Sequence, residues 1–221
     1  MSKIFTAEEK ATRAYDAFMI KNVMGRHAYY HSWGMHPEEF EDIWSKRDDV
    51  SWGNNGGYQM GRETLIKYYV EPHIGAEPKP GELFMHTLTT PLIEIADDGE
   101  TAQAMWYTPG YGSGPDGGVN WMHERYAIDF IKEDGEWKIW HFFVGTDFSM
   151  EFGTKLSDPK KGPGGPPPGG EQEPDPNVLR IPGITDPKFG WPNYPPFPKP
   201  YATFSETVSY GPEPFLNKEG K

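Results

Sequence analysis

Apolar positions recur along this chain with two different periods. Thr6-Ala7-Glu8-Glu9 has the form of a capping box and predicts a helix that runs to about Ser32, with no proline to stop it. Its C-terminal half carries Ile20, Met24, His27 and His31 at spacings of four, three and four, flanked by Val23 and Tyr30. His36-Pro37-Glu38-Glu39 predicts a second, short helix through Trp44. Val50 to Trp52 reads as a short strand, Asn54 to Gly57 as a turn, and Arg62 to Glu71 as a third helix closed by Pro72 and Gly75. From Phe84 the period becomes two. Strands are expected over 83–95, 101–108, 119–132 and 137–148, with tight hairpin turns at 97–100 and 133–136 and a long, mobile loop over 109–118. Helices followed by an antiparallel meander indicate an α+β domain with its helices on one face of the sheet.

Side-chain alternation then assigns faces. Phe84, His86 and Leu88 share one, and Pro91 marks a bulge or edge beyond them. In the third strand Met122, Glu124, Tyr126, Ile128 and Phe130 are the more apolar set and are placed toward the helices, which leaves His123 pointing away. In the fourth, Trp140, Phe142, Val144, Thr146 and Phe148 oppose Trp137, Ile139, His141, Phe143 and Asp147. Both sets are apolar, so this strand is expected to be covered on both sides, and a homo-oligomer, dimer or trimer, is the partner this favours.

Composition divides the chain. Seven of the 23 prolines precede position 157, and Lys161 to Gly170 is a run of Pro and Gly that builds no core. A folded body of residues 1–156 and an extended tail of residues 157–221 follow. The tail turns aromatic after its Pro/Gly strip, at Phe189, Trp191, Tyr194, Phe197, Tyr201, Phe204, Tyr210 and Phe215. It is expected to pack on the body or, by exchange, on a neighbouring subunit.

The 221 residues include no cysteine, which excludes disulfides, thiolate metal sites and a cysteine nucleophile. The net charge of −12 argues against nucleic acid or anionic membrane as partner. No apolar run reaches the length of a spanning helix, and Met1 to Thr6 has no apolar signal region, so a cytoplasmic protein is expected. Leu, Ile, Val and Phe make up only about 18% of the chain, a value associated with disorder. Eight Trp, 12 Tyr and 9 Met take over the apolar work, which suits a core that is partly a binding cavity.

No nucleophile elbow or phosphate loop is present; Gly110-Tyr111-Gly112-Ser113-Gly114 joins two strands and opens no helix. His27 and His31, four apart on a helix, are a possible metal pair, with His86 or a carboxylate as third ligand. General acid–base chemistry is the stronger reading: His27, Tyr30 and His31 on the helix end face His86 on the first long strand.

The order of elements resembles the nuclear-transport-factor-2-like, or SnoaL-like, superfamily over about residues 8–150. The residues that carry the resemblance are Met85-His86-Thr87, Ile93 to Ala102, and Tyr126 through Ile139. It implies a cone-shaped, curved antiparallel sheet packed by a long N-terminal helix and two short ones, enclosing a hydrophobic pocket. The nearest branch is similar to scytalone dehydratase and bile-acid dehydratase, cofactor-free lyases that use Tyr, Asp and His. Their strand histidine falls on His86, and their pocket strand on Glu124 and Tyr126. A second dehydratase histidine falls near Tyr111. Their helix Tyr and Asp fall in His27 to Ser32, where this chain has no Asp.

The expectation is therefore a lyase without cofactor or metal, acting on a hydrophobic cyclic or aromatic molecule. His86 and His31 would be base and acid and Tyr30 the third catalytic residue, with Tyr30 and Tyr126 hydrogen-bonding the substrate oxygen, Trp106, Phe142 and Tyr111 contacting its rings, and His27 and Glu124 completing the substrate-binding set. The alternatives are a binding or assembly protein with a passive pocket, and a metal enzyme.

Overall fold

The computed structural model describes residues 3–113, 118–153, 175–180 and 195–216. Helix α1 (Ala7–Ser32) begins with the reciprocal capping box: the Glu9 amide donates to Thr6 Oγ1, and the Thr6 amide donates to Glu9 Oε2 at 2.7 Å. It ends just before Gly34, whose φ of 72° suits glycine and whose missing Cβ would stand 2.6 Å from the Ala76 carbonyl oxygen. Helix α2 (His36–Ile43) buries His36, Glu39, Phe40 and Ile43, one stripe of an amphipathic helix. Half of that stripe is polar.

Strands β1 (Ser51–Asn54) and β2 (Gly57–Met60) form a hairpin, of which only the first strand was expected. The expected third helix is less regular. Its first part is α3 (Arg62–Leu65), followed by a wide turn over Ile66–Val70 and a tight one over Glu71–His73. Pro72 lacks an amide hydrogen and sits in the first turn of that tight segment, which ends at His73.

Two further expectations need correction. The strand over 83–95 is two strands, β3 (Leu83–His86) and β4 (Thr89–Ile95), both paired with β5 (Thr101–Ser113). The register slips between Thr89 and Leu92, around Pro91 and a Thr90 with φ of 52°. The expected loop over 109–118 is strand as far as Ser113, and residues 114–117 lie outside the described set. Glycine and proline there suggested a loop, yet Gly110 serves close approach. A Cβ on it would lie 2.6 Å from the Met85 carbonyl oxygen and 3.0 Å from His86 Nδ1.

With β6 (Val119–Glu133), β7 (Glu136–Glu151) and β8 (Val178–Arg180), the sheet runs β3-β5-β6-β7-β1-β2-β8. The pairs are antiparallel except β1 with β7, which is parallel. The open, curved sheet carries its helices on one face, as expected.

Alternation holds along β6: Tyr126, Ile128 and Phe130 join Ile20, Met24, Phe40, Trp44 and Trp106 in the inner core. Along β7 it fails at Trp140, where the register shifts between Asp129 and Phe130 of the partner strand. Trp137 and Ile139 therefore face inward with Phe142, the face opposite to the one alternation gave them, while Phe143 stays outside.

The outer face has its own cover. Tyr58, Met105, Ala127 and Phe143 pack with Tyr210 and Phe215 of the tail. Phe204 lies against Trp140 at 4.6 Å between centroids, and Tyr201 is buried beside Thr101. The polar clamp is Asp129, which accepts from Gln103 Nε2 at 2.7 Å and from Ser209 Oγ and the Tyr210 amide at 2.8 Å each. The apolar outer face that suggested subunit contact is thus covered by residues 195–216 of the chain itself. Phe189, Trp191 and Tyr194 lie outside the described residues.

Candidate active site

Histidines from four elements converge where α1 ends against β3. His27 and His31 come from α1, His36 from the first turn of α2, His73 from the turn after α3, and His86 from the end of β3. The rings pack in a chain. His27 and His31 lie 5.3 Å apart, His31 and His36 4.8 Å, His36 and His73 3.8 Å and nearly parallel, and His31 and His86 5.4 Å. His31 Nδ1 stands 2.9 Å from His36 Nε2, so one of the two carries the shared proton.

Glu39 anchors the cluster from α2. Its carboxylate is fully buried, and Oε1 accepts from His27 Nδ1 at 2.9 Å and from Trp44 Nε1 and the Tyr69 hydroxyl at 3.0 Å each. Burial pushes its pKa up, but His27 and these donors outweigh that and hold it below the usual carboxylate range. Burial, reinforced by the Glu39 charge, pushes the Tyr69 hydroxyl well up, so it stays a donor. Burial also moves His36 down to about 4 and His31 well below the ordinary histidine value, with the neighbouring imidazoles adding to the effect. Both rings are neutral near pH 7.

His86 is the member that reaches open space. It lines a groove of about 490 Å³ between α1 and the β3 segment, with Gly25, Tyr29, Trp33, Phe84 and Leu88. Its Nδ1 is 3.1 Å from Glu124 Oε2, within ion-pair distance though not aligned as a hydrogen bond. Thr146 donates to the other Glu124 oxygen at 3.0 Å. Phe84 packs against both His86 and His31, at 4.9 and 5.0 Å.

The structure sorts the expected site residues. It brings His27, His31, His86, Glu124 and Tyr126 together, with Tyr126 5.6 Å from His27 and 5.9 Å from His86 by ring centroid. Tyr30 does not join them, because it lies one residue off the buried stripe; its hydroxyl donates to Asp42 at 3.1 Å in the seam between α1 and α2. Tyr111 pairs with Met85 and Trp121 on the face opposite to His86 and Glu124, because alternation along β5 runs unbroken to Ser113. Trp106 and Phe142 are buried in the core behind the cluster rather than on the groove. His36, Glu39, Tyr69 and His73 were missed. The signal for two of them was present, since His36 and Glu39 stand three apart on a helix whose other buried positions are Phe40 and Ile43.

The metal pair expected at His27 and His31 is also rearranged. His27 Nδ1 is committed to Glu39, and the potential ligand atoms that converge, among the described residues, belong to His31, His36 and Glu39, all within 4.8 Å of one another. No helix among the described residues is long and apolar enough to cross a membrane.

Comparison with known proteins adds the following. A family model described as a SnoaL-like domain matches residues 13–142. No curated protein matches the sequence. Among solved structures, a candidate scytalone dehydratase from Novosphingobium aromaticivorans DSM 12444 is 16% identical, with 74% of this chain and 99% of that one covered at a TM-score of 0.53. A hexachlorocyclohexane dehydrochlorinase, LinA-type3, from Novosphingobium barchaimii LL02 is 16% identical, with 66% and 96% covered at 0.52. A candidate aromatic ring hydroxylase from Novosphingobium aromaticivorans is 19% identical, with 59% and 88% covered at 0.50. At these identities the likeness is one of fold.

Proposed function

We propose that this chain, which belongs to the SnoaL-like domain family, is a lyase that removes a proton and a leaving group from a hydrophobic cyclic or aromatic molecule. The observation that carries the reading is His86: a buried imidazole at an apolar groove, with a carboxylate 3.1 Å from one ring nitrogen. Glu124 favours the tautomer with the proton on Nδ1, which leaves Nε2 as the base. Nε2 takes a proton from a substrate carbon, the C–H electrons form the new double bond, and the leaving group departs with its bonding pair. The proton carried by His86 Nε2 is then available to the departing group, and His31, neutral and ring to ring with His86 at 5.4 Å, backs the base. The reaction is redox-neutral and needs no electron carrier.

Tyr29, Trp33 and Phe84 give the groove aromatic walls suited to a ring. Two of the similar solved structures carry names of eliminations, one of water and one of hydrogen chloride, and that agrees with the reading without identifying the substrate. The test is a panel of cyclic and aromatic compounds bearing a hydroxyl or halogen beside a C–H, followed by the absorbance of the new double bond. Turnover by the full chain and a loss of at least about a hundredfold in His86→Ala is the expected result. A panel compound turned over equally well by His86→Ala overturns the assignment.

A further inference from the structure

Four buried side-chain atoms of the histidine cluster have no hydrogen-bond partner among the described residues: His27 Nε2, His36 Nδ1, Glu39 Oε2 and His86 Nδ1, the last within ion-pair distance of Glu124. Each leaves an uncompensated desolvation cost. All four belong to residue types that bind metal ions, and two of them, on His36 and Glu39, belong to one convergent group. Oε1 of Glu39 already has three donors, so Oε2 is the oxygen left with unused capacity. In the same cluster the imidazoles of His31 and His36 approach nitrogen to nitrogen at 2.9 Å, and an imidazole binds metal as the neutral ring.

We infer that His31, His36 and Glu39 form a binding site for a divalent first-row transition ion of the zinc class, in a two-histidine, one-carboxylate arrangement. The potential ligand atoms already lie within 4.8 Å of one another, so closure onto an ion needs side-chain adjustment and no refolding. His27, Trp44 and Tyr69 fix the Glu39 carboxylate through its other oxygen, and His73 stacks on His36 at 3.8 Å. His86 is not a ligand. Its ring lies 5.4 Å from that of His31, beside the site. The inference goes beyond the elimination reading and does not depend on it.

The test uses the full chain stripped with a chelator and titrated with Co²⁺, whose visible absorption reports nitrogen and oxygen ligation. One equivalent is expected to bind, with a rise in melting temperature of roughly 5–10 °C at about a hundredfold excess over Kd. His36→Asn and Glu39→Gln should each weaken binding at least about tenfold. His31→Asn, at a half-buried position, decides the matter if a more buried variant does not fold. His123→Asn, in a pair with Asp147 on the other face of the sheet, should bind as the parent does. No cobalt band, or a band that survives in His31→Asn and His36→Asn, or one that disappears in His123→Asn, overturns the site. His86→Ala separates the two readings, because it should bind cobalt normally and lose only turnover.

Discussion

The two faces of one sheet bury polar groups in opposite ways. On the outer face Asp129 is saturated, with three donors on two oxygens, and Arg125 and His123 share Asp147. On the inner face the polar groups are crowded and short of partners. Every buried side-chain polar atom without a partner among the described residues belongs to His27, His36, Glu39, Gln59, His86 or Thr108. All six lie on the helical side, since Thr108 pairs with Glu124, and Gln59 pairs with Trp52, which packs on the inner core. A saturated network holds structure together. An unsaturated one, sustained by the packing around it, marks where a ligand is meant to arrive.

Substitutions should separate the faces. The largest effect is expected at His86, where alanine should lower kcat/KM at least about a hundredfold while the melting temperature shifts by no more than a few degrees. Equal loss of folding and turnover would make His86 a structural residue. The outer face should answer the other way. Asp129→Ala strands the Ser209 hydroxyl, the Tyr210 amide and the Gln103 amide, and should cost about 3 kcal/mol in a denaturant melt while the surviving folded fraction keeps its turnover.

The same aspartate gives a pH test. Burial, with Glu213 adding to it, raises the Asp129 carboxyl from 3.8 to about 7 against the pull of its hydrogen bonds. Between those values the folded protein keeps a proton that the unfolded chain has released, so stability is highest at the acid end and is lost as pH rises through the window. The melting temperature should fall by several degrees from about pH 5 to about pH 8. Asp129→Asn should flatten that part of the slope, leaving only the share due to the net charge. An unchanged slope would mean the carboxyl titrates elsewhere.

What the sequence made legible follows from which interactions are periodic. The capping box of α1, the stripe ending in His27 and His31, and the inward set on β6 all obey a fixed spacing, and all are where they were expected. The errors fall where spacing is interrupted. A bulge at Trp140 reversed Trp137 and Ile139, and a break at residues 87–88 cut one strand into two, whereas the bulge expected at Pro91 is present within β4. Gly110 looks like a loop residue because a close approach between strands has no composition of its own. His36 and Glu39 share a legible helical stripe, but their meeting with Tyr69 and His73 was invisible for another reason: these residues come together only through packing of α2 and the turns after α3 against α1.

The two tyrosines closest in chemistry give the finest test of the comparison. Tyr69 donates to a fully buried carboxylate, and Tyr69→Phe should cost about 1.5–3 kcal/mol because a charged acceptor loses one of three donors. Tyr30 donates to Asp42, which also holds Arg26 at 3.2 Å and is partly open to solvent. Tyr30→Phe should therefore cost no more than about 1 kcal/mol and leave turnover unchanged. Burial, reinforced by Asp42, raises the Tyr30 hydroxyl, so it has no tendency to ionise and act as a base. A tenfold fall in turnover in Tyr30→Phe, with stability intact, would mean that the reacting groups extend into the seam between α1 and α2, and that the inner face does not hold the chemistry alone.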